Sequence, residues 1–384
     1  MFAALSHIDY CLLGALLLIF CYQCYFYLRY LTIASRWQRR HSSEQPMADS
    51  DLPKVSVVVC ARNEHINLQD YLHTLLTQDY PCYEVIVVND GSEDDTQIIL
   101  ERYANQCKHL YTTFVPHEAR VISSKKLALT IGIKAANYDY ILLTDADCRP
   151  SSSLWIREMM QGFAENEQTE VVLGYGAYFE KKTLLSSLIS YDTLFIALQY
   201  LGMAAAGHPY MGVGRNLAYK RDTFFRNDGF RGMLGERAGD DDLFVNKVTD
   251  KRNTAVVCSR DSITWSAPKT TWQEWLHQKR RHLSVSSHYR SSSKMRIGVE
   301  PLTRGLFYAL LIATCIFGGA YAIGLAYVLW WLRLVLQLCV INTSAHRLGT
   351  RLFGIEIVAY DIILPLISLW MLLTKRFQKR RIYW

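Results

Sequence analysis

The chain predicts an α/β domain with a mostly parallel sheet, flanked by apolar helices of membrane-spanning length. Three observations carry that expectation. From Pro53 to about residue 290, short apolar runs of strand length alternate with segments of helical spacing. Several of those runs are continuous in Val, Ile and Leu, as strands buried on both faces require. Long apolar stretches lie before and after this region, bordered by arginines and lysines.

Residues 10–31 are apolar and aromatic, with only Gln23 and Arg29 interrupting, and their length suits one membrane span. No basic residue precedes the run and Arg36-Trp-Gln-Arg-Arg40 follows it, so a cleaved signal peptide fits poorly. The same asymmetry puts the N-terminus outside and the following domain in the cytoplasm. Residues 41–51 are polar and read as a linker.

Strands are expected at 55–60, 83–88, 110–115 and 140–145, with helices between them. Ser92 and Asp95 have capping-box spacing for the helix that runs to about Tyr103. Ser123-Ser124-Lys125-Lys126 opens the next helix, to about Ala136. Beyond the fourth strand come a helix at 151–163, a strand at 171–178 and an apolar helix at 184–201. That helix contains Asp192 and is expected to line the acceptor side or touch the membrane surface, not to cross it. Gly212 and Gly214 would allow close backbone approach at a pocket wall. Asp240-Asp241-Asp242 starts a further helix, short strands follow at 254–259 and 262–265, and a basic amphipathic helix covers 271–288.

Past Pro301 the chain turns apolar again. Residues 306–341 hold two spans with a turn near Gly318-Gly319, and Arg333 interrupts the second. Residues 355–373 contain Asp361 and Pro365 and are the candidate for a re-entrant or interfacial segment, which would keep the basic tail in the cytoplasm. The expected division is 1–35 transmembrane helix, 36–52 linker, 53–290 globular domain, 291–303 interfacial segment, 304–374 membrane segments and 375–384 basic tail.

The formal charge of +7 sits largely beside apolar stretches, and no basic aromatic nucleic-acid signature accompanies it. A nucleic-acid partner is therefore not expected. Ten scattered cysteines suit a reducing compartment. No G-x-G-x-x-G follows the first strand and there is no G-x-x-x-x-G-K-[ST], so phosphate must be handled by metal and side chains. The fourth strand runs into Asp145-Ala-Asp147, two carboxylates where ligands meet a parallel sheet. They could hold a hard divalent cation or form an ordinary polar turn. Lys125 and Lys126 could contact phosphate or sit solvated at a helix start, and Arg280 and Arg281 could meet diphosphate or anionic lipid.

In order, Val57-Val-Val-Cys-Ala-Arg-Asn-Glu64, Val87-Val-Asn-Asp-Gly-Ser92 and Asp145-Ala-Asp147 resemble the family 2 glycosyltransferases with a GT-A fold. Lys125-Lys126-Leu-Ala-Leu129, the Asp240 to Asp242 cluster and Gln278-Lys-Arg-Arg-His282 resemble motifs of its membrane-bound branch, which makes cellulose, chitin, hyaluronan and glucosylceramide. Ser124 stands where that family has Gly, and His282 where it has Trp. The resemblance implies an inverting transfer from a nucleotide-diphosphate sugar. On that basis Glu64 and Asp90 bind base or ribose, while Asp145 and Asp147 hold Mg2+ or Mn2+. Lys125, Arg280 and Arg281 serve the diphosphate, with Arg281 preferred to Arg280. Gly214, Gln278 and His282 lie on the acceptor side. Asp241 is named, narrowly over Asp240, to take the acceptor proton: spacing to Leu243 favours Asp240 and spacing to Phe244 favours Asp241. The expected acceptor is a lipid or lipid-linked glycan at a membrane of bacterial inner-membrane type. A processive polysaccharide synthase and a silent scaffold of an envelope glycan complex are the alternatives.

Overall fold

A computed structural model describes residues 5–41, 47–116, 124–236 and 238–378. The middle of the expected linker, Ser123 and the end of the basic tail lie outside the described residues. The chain forms two compact units. One comprises Ile33–Tyr289 with Arg347–Gly349; the other holds the N-terminal segment and the C-terminal helices.

The larger unit is built on a seven-stranded sheet of order β3-β2-β1-β4-β8-β6-β9. Its strands are β1 (Val55–Ala61), β2 (Tyr83–Asn89), β3 (Leu110–Phe114), β4 (Tyr140–Asp145), β6 (Val171–Leu173), β8 (Leu217–Lys220) and β9 (Thr254–Val256). The first four are mutually parallel. Alternate residues of β1 serve opposite layers. Val57 and Val59 pack with Leu68, Leu72 and Leu75 of the helix His65–Leu76 and with Trp155 and Met159. Val58 faces the other layer, where a Cβ on Gly132 would come within 2.5 Å of its Cγ1. The helix Ser124–Ala135 therefore lies tight against that face. Burying each such valine contributes roughly 1.5–3 kcal/mol, so both layers are needed to hold the sheet.

Three local expectations differ. The strand expected at 171–178 is two strands, β6 and β7 (Gly176–Tyr178). β7 leaves the main sheet for a second one, β5-β10-β7, with β5 (Cys148–Pro150) and β10 (Thr264–Ser266). Asn216 occupies the gap where the sheets part. Its amide donates to the carbonyls of Tyr175 and Ser262 and its Oδ1 accepts from the Trp155 indole. A Cβ on Gly174 would strike it at 2.5 Å, so the glycine is required there. The expected capping box of Ser92 and Asp95 is not formed. Asp95 makes no side-chain cap bond, and Asp94 accepts from the Thr96 N–H instead. Finally, β8 is a strand where only a pocket wall was expected.

The helix Leu184–Ala205 is apolar on nearly every side because it is largely buried within this unit. Length and apolarity alone would let it cross a membrane, yet its side chains are already covered by protein.

The second unit contains His7–Phe26, followed by a π-helical turn at Tyr27–Leu31, and the helices Ser291–Phe317, Ala320–Arg347 and Glu356–Gln378. All four are long and apolar enough to cross a membrane. Residues 291–303 are not a separate piece: one helix runs through them to Phe317. The turn at Gly318-Gly319 is where expected. From Glu356 onward the expected segment belongs to one continuous helix despite Pro365. Large apolar side chains such as Leu18, Ile312, Trp331 and Ile363 are exposed, while Glu300, Arg304, Arg333 and Asp361 are buried. Asp361 and Arg333 meet at 2.6 Å, and Arg304 lies 2.6 Å from Glu300 and 3.4 Å from Asp361. That inside-out arrangement suits a lipid surround.

Candidate active site

The sheet register assembles the site. Ala61 pairs with Asn89, and Cys60 with Asp145, so β1, β2 and β4 end in one row. The segments that follow carry Glu64, Asp90 and Asp147. β8 runs antiparallel to β4 with Leu143 opposite Leu217, which brings the preceding Gly214-Arg215 to the same edge. The loops after β1 and β2 are laced together. Asn63 donates its N–H to Ser92 Oγ, and its Oδ1 accepts from the Glu93 N–H. Asn63 itself has φ +56°, a conformation that asparagine tolerates better than most residues.

Asp90 is buried and donates its N–H to the Ala61 carbonyl. Its Oδ1 is enclosed and has no hydrogen-bond partner among the described residues. Such an orphaned acceptor is costly unless a ligand N–H satisfies it. Glu64 precedes the helix His65–Leu76 and accepts from the Asn67 amide at 2.6 Å. Burial raises its pKa, and the fields of Asp147 and Asp145 reach it as well.

Asp145, Asp147 and Cys148 place ligand atoms within 4.8 Å of one another. Burial raises the Asp147 pKa, reinforced by the charge of Asp145. Burial works against ionised Asp145 too, but Lys125, Arg215 and Arg281 outweigh it and hold Asp145 below the ordinary range. Burial keeps Cys148 a neutral thiol. Two carboxylates beside a protonated sulfur fit a hard, oxygen-seeking ion such as Mg2+ or Mn2+ and not a soft one. All ten cysteines are free.

The two lysines diverge. Lys125 reaches Asp145 at 2.9 Å and Asp240 at 3.4 Å, a cation among the carboxylates. Lys126 turns away and is buried.

The acidic cluster also divides by hydrogen bonding. Asp241 is anchored by backbone: its Oδ2 accepts from the Gly214 N–H and its Oδ1 from the Asp242 N–H, each at 2.7 Å. Gly214, expected on the acceptor side, thus anchors Asp241. Asp242 is buried, which raises its pKa strongly, and it is hydrogen-bonded to Tyr289. Asp240 faces Lys125. Gly239, just before it, has φ +91°, and a Cβ there would meet Leu243 at 2.7 Å. Gly239→Ala should therefore cost at least about 1 kcal/mol, read as a lowered Tm, together with lost activity.

The helix Trp272–Ser286 is fixed by its own motif. Gln278 donates to the Tyr178 hydroxyl at 3.1 Å, and Lys279 pairs with Asp192 at 2.6 Å. Gln278, Arg281 and His282 share one side by helical spacing, with Arg280 on the opposite side. Arg281 is among the charges acting on Asp145. Desolvation, then the charges of Arg281, Arg215 and Lys279, lowers the His282 pKa, a shift tempered by the residue's surface exposure.

Arg215 was not anticipated. It donates to the Gly176 and Ala177 carbonyls and to Ser266 Oγ, and its guanidinium lies 4.4 Å from the Tyr178 ring centroid. It is a locked positive charge beside Asp145 and Asp147. The signal was present in Gly212-Val-Gly-Arg215-Asn216, but only the antiparallel placement of β8 gives it meaning.

Carboxylates and cations are thus gathered beyond the carboxyl ends of parallel strands, the edge at which open α/β sheets bind ligands. Residues 56–233 match the profile of the family described as Glycosyl transferase family 2. The chain is 26% identical over 239 residues to the "Probable glycosyltransferase YdaM" of Bacillus subtilis, covering 60% of this chain and 54% of that protein. It is 31% identical over 134 residues to a "Poly-beta-1,6-N-acetyl-D-glucosamine synthase" of Staphylococcus epidermidis, covering 35% of this chain and 31% of the synthase. The chain thus spans about half, or a third, of these relatives' lengths. Among solved structures, the mannosyltransferase PcManGT from Pyrobaculum calidifontis, in complex with GDP-Man and Mn2+, aligns with TM-score 0.62 at 19% identity, over 96% of this chain and 99% of that one. The likeness is one of fold. Residues 56–233 thus carry the match to family 2 glycosyltransferases, within a unit of GT-A fold.

Proposed function

We propose that this protein is a membrane-anchored, inverting glycosyltransferase. It moves a sugar from a nucleotide-diphosphate sugar to a hydroxyl of a lipid or lipid-linked acceptor at the cytoplasmic membrane face. One arrangement carries the reading: inside a family 2 domain, the Asp145-Ala-Asp147 end of β4 faces Asp240 across a single ammonium group, that of Lys125.

The unsatisfied Asp90 Oδ1 suits a ring N–H of the nucleotide base, and Glu64 suits base or ribose. Asp145 and Asp147 would hold Mg2+ or Mn2+. The ion, when bound, offsets the charge that develops on the diphosphate leaving group. Lys125 and Arg281 add fixed positive charge on the same side, and Arg281 can grip phosphate through two N–H groups. Asp240 accepts the acceptor hydroxyl's proton as that oxygen bonds to the anomeric carbon. The bond from that carbon to the diphosphate breaks, and the electron pair leaves with the nucleoside diphosphate. Attack opposite the leaving group inverts the anomeric centre. Here Asp240 replaces Asp241, the narrow choice from sequence, because both Asp241 oxygens already accept from backbone N–H groups that hold the carboxylate in place.

Arg36, Arg39 and Arg40 just after the first apolar helix support a cytoplasmic domain. His282, where a stacking tryptophan is usual in the family, offers less surface to a sugar ring and favours a lipid acceptor. The Staphylococcus relative favours the second reading, a polysaccharide synthase. Radiolabelled sugar transfer by membranes separates them: an organic-soluble product supports the lipid acceptor, a long water-soluble chain the synthase, and no transfer from any nucleotide sugar a silent scaffold. Asp147→Ala should reduce metal-stimulated transfer at least about 100-fold without lowering Tm. Unchanged activity across a Mn2+ titration would remove the metal assignment.

A further inference from the structure

Lys126 is 1% exposed and does not face the carboxylates that Lys125 meets. Its Nζ donates to the Met233 and Ala238 carbonyls, each at 2.9 Å, and to the Glu236 carbonyl. An ammonium has three N–H donors, so all three are satisfied by backbone. No phosphate contact remains for it to make. These carbonyls are more than 100 residues away in sequence and lie just before Asp240. Ala238 is followed by Gly239, whose positive φ turns the chain, and then by Asp240. Burying an ammonium is expensive unless its donors are met. A leucine or methionine would fill the space more cheaply if packing were the only need. Burial lowers the Lys126 pKa, against the opposing charges of Asp240, Glu236 and Asp241.

We propose that Lys126 is a positioning residue for the transfer step: an internal cation that gathers the backbone before Asp240 and sets where that carboxylate stands. This rests on the reading of Asp240 as the proton acceptor. Adjacent lysines at the start of one helix thus have separate tasks, Lys125 at the carboxylates and Lys126 on the peptide that carries one of them.

The test uses the full-length protein in detergent or nanodiscs. Lys126→Met keeps the length and loses the charge. It should lower kcat about 10- to 100-fold, as expected for a displaced reacting group, with donor KM and Mn2+-dependent nucleotide binding changed less than about threefold. Hydrogen exchange of the 233–241 peptide should accelerate in this variant, with or without nucleotide. Lys126→Arg, which keeps the charge, should protect the peptide better and recover part of kcat. In an Asp240→Asn background, Lys126→Met should cost little further activity, because the group it positions is already lost.

A raised donor KM at unchanged kcat would overturn the proposal in favour of phosphate contact. So would exchange of the 233–241 peptide identical to the parent protein's. If Lys126→Met does not fold, Lys126→Arg decides: parental exchange and kcat support the charge requirement, and faster exchange with unchanged kcat overturns it. Full activity of Asp240→Asn would defeat the proton-acceptor reading, while the exchange result would still report whether Lys126 holds the segment.

Discussion

Asp240→Asn should stop sugar transfer while leaving nucleotide-sugar and Mn2+ binding close to the parent protein's. A positioned general base contributes typically about 10²–10⁴-fold, so the residual rate should fall by at least that order. Asparagine keeps the shape and removes only the capacity to take a proton. Asp241→Asn should behave differently. Asp241 accepts from two backbone N–H groups, those of Gly214 and Asp242. An amide can accept from one and must turn its own N–H2 toward the other. Leaving a buried donor without an acceptor costs about 1–3 kcal/mol, so Asp241→Asn should lower Tm and reduce activity through misplacement. The two variants thus separate by readout: kcat for Asp240, stability for Asp241. Isothermal titration with nucleotide and thermal unfolding in the same preparation check this. A stable, inactive Asp241→Asn beside an active Asp240→Asn would reverse the assignment.

The contrast also shows what sequence could and could not reveal. The spacing of Asp240 and Asp241 to Leu243 and Phe244 favoured Asp241 only narrowly, because adjacent carboxylates at a helix start look alike in one dimension. Their hydrogen bonds differ because Gly214 arrives from another strand. The same holds for Lys125 and Lys126, which differ only in which way a helix start points them. The parallel strands were legible because Val55–Ala61 and Tyr140–Asp145 are buried on both faces and read as continuous apolar runs. β8 was hidden by its length, four residues after a glycine-rich stretch, and with it went Arg215. The split of 171–178 into two sheets depends on Asn216, about forty residues downstream. Asp90 was legible as a strand-end acid, but its unsatisfied oxygen is a property of the packed site.

The helix Glu356–Gln378 gives the sharpest case of a local signal whose meaning is set by a distant partner. Asp361 and Pro365 made this segment the candidate for a re-entrant or interfacial one. The structure buries Asp361 completely against Arg333 at 2.6 Å, with Tyr308 donating at 2.8 Å and Gln337 at 3.0 Å. Arg304 and Glu300 complete a set of two positive and two negative groups, so the cluster is neutral as a whole. Arg333 also donates to Gln23 on the first helix, so all four helices of this unit are tied at one point. Asp361→Asn would leave an unbalanced positive charge where water cannot reach it. Breaking a buried pair from one side costs about 3–5 kcal/mol. The variant should therefore show a large loss of stability on denaturant unfolding in detergent, and poor yield from membranes. Removing both partners together, as Asp361→Leu with Arg333→Met, should recover much of that loss, because the penalty belongs to the orphaned charge and not to the missing attraction. A single variant as stable as the parent would mean that water or lipid headgroups reach the cluster. A double variant as poor as the sum of both singles would mean that packing around these side chains, and not their charge, holds the helices together.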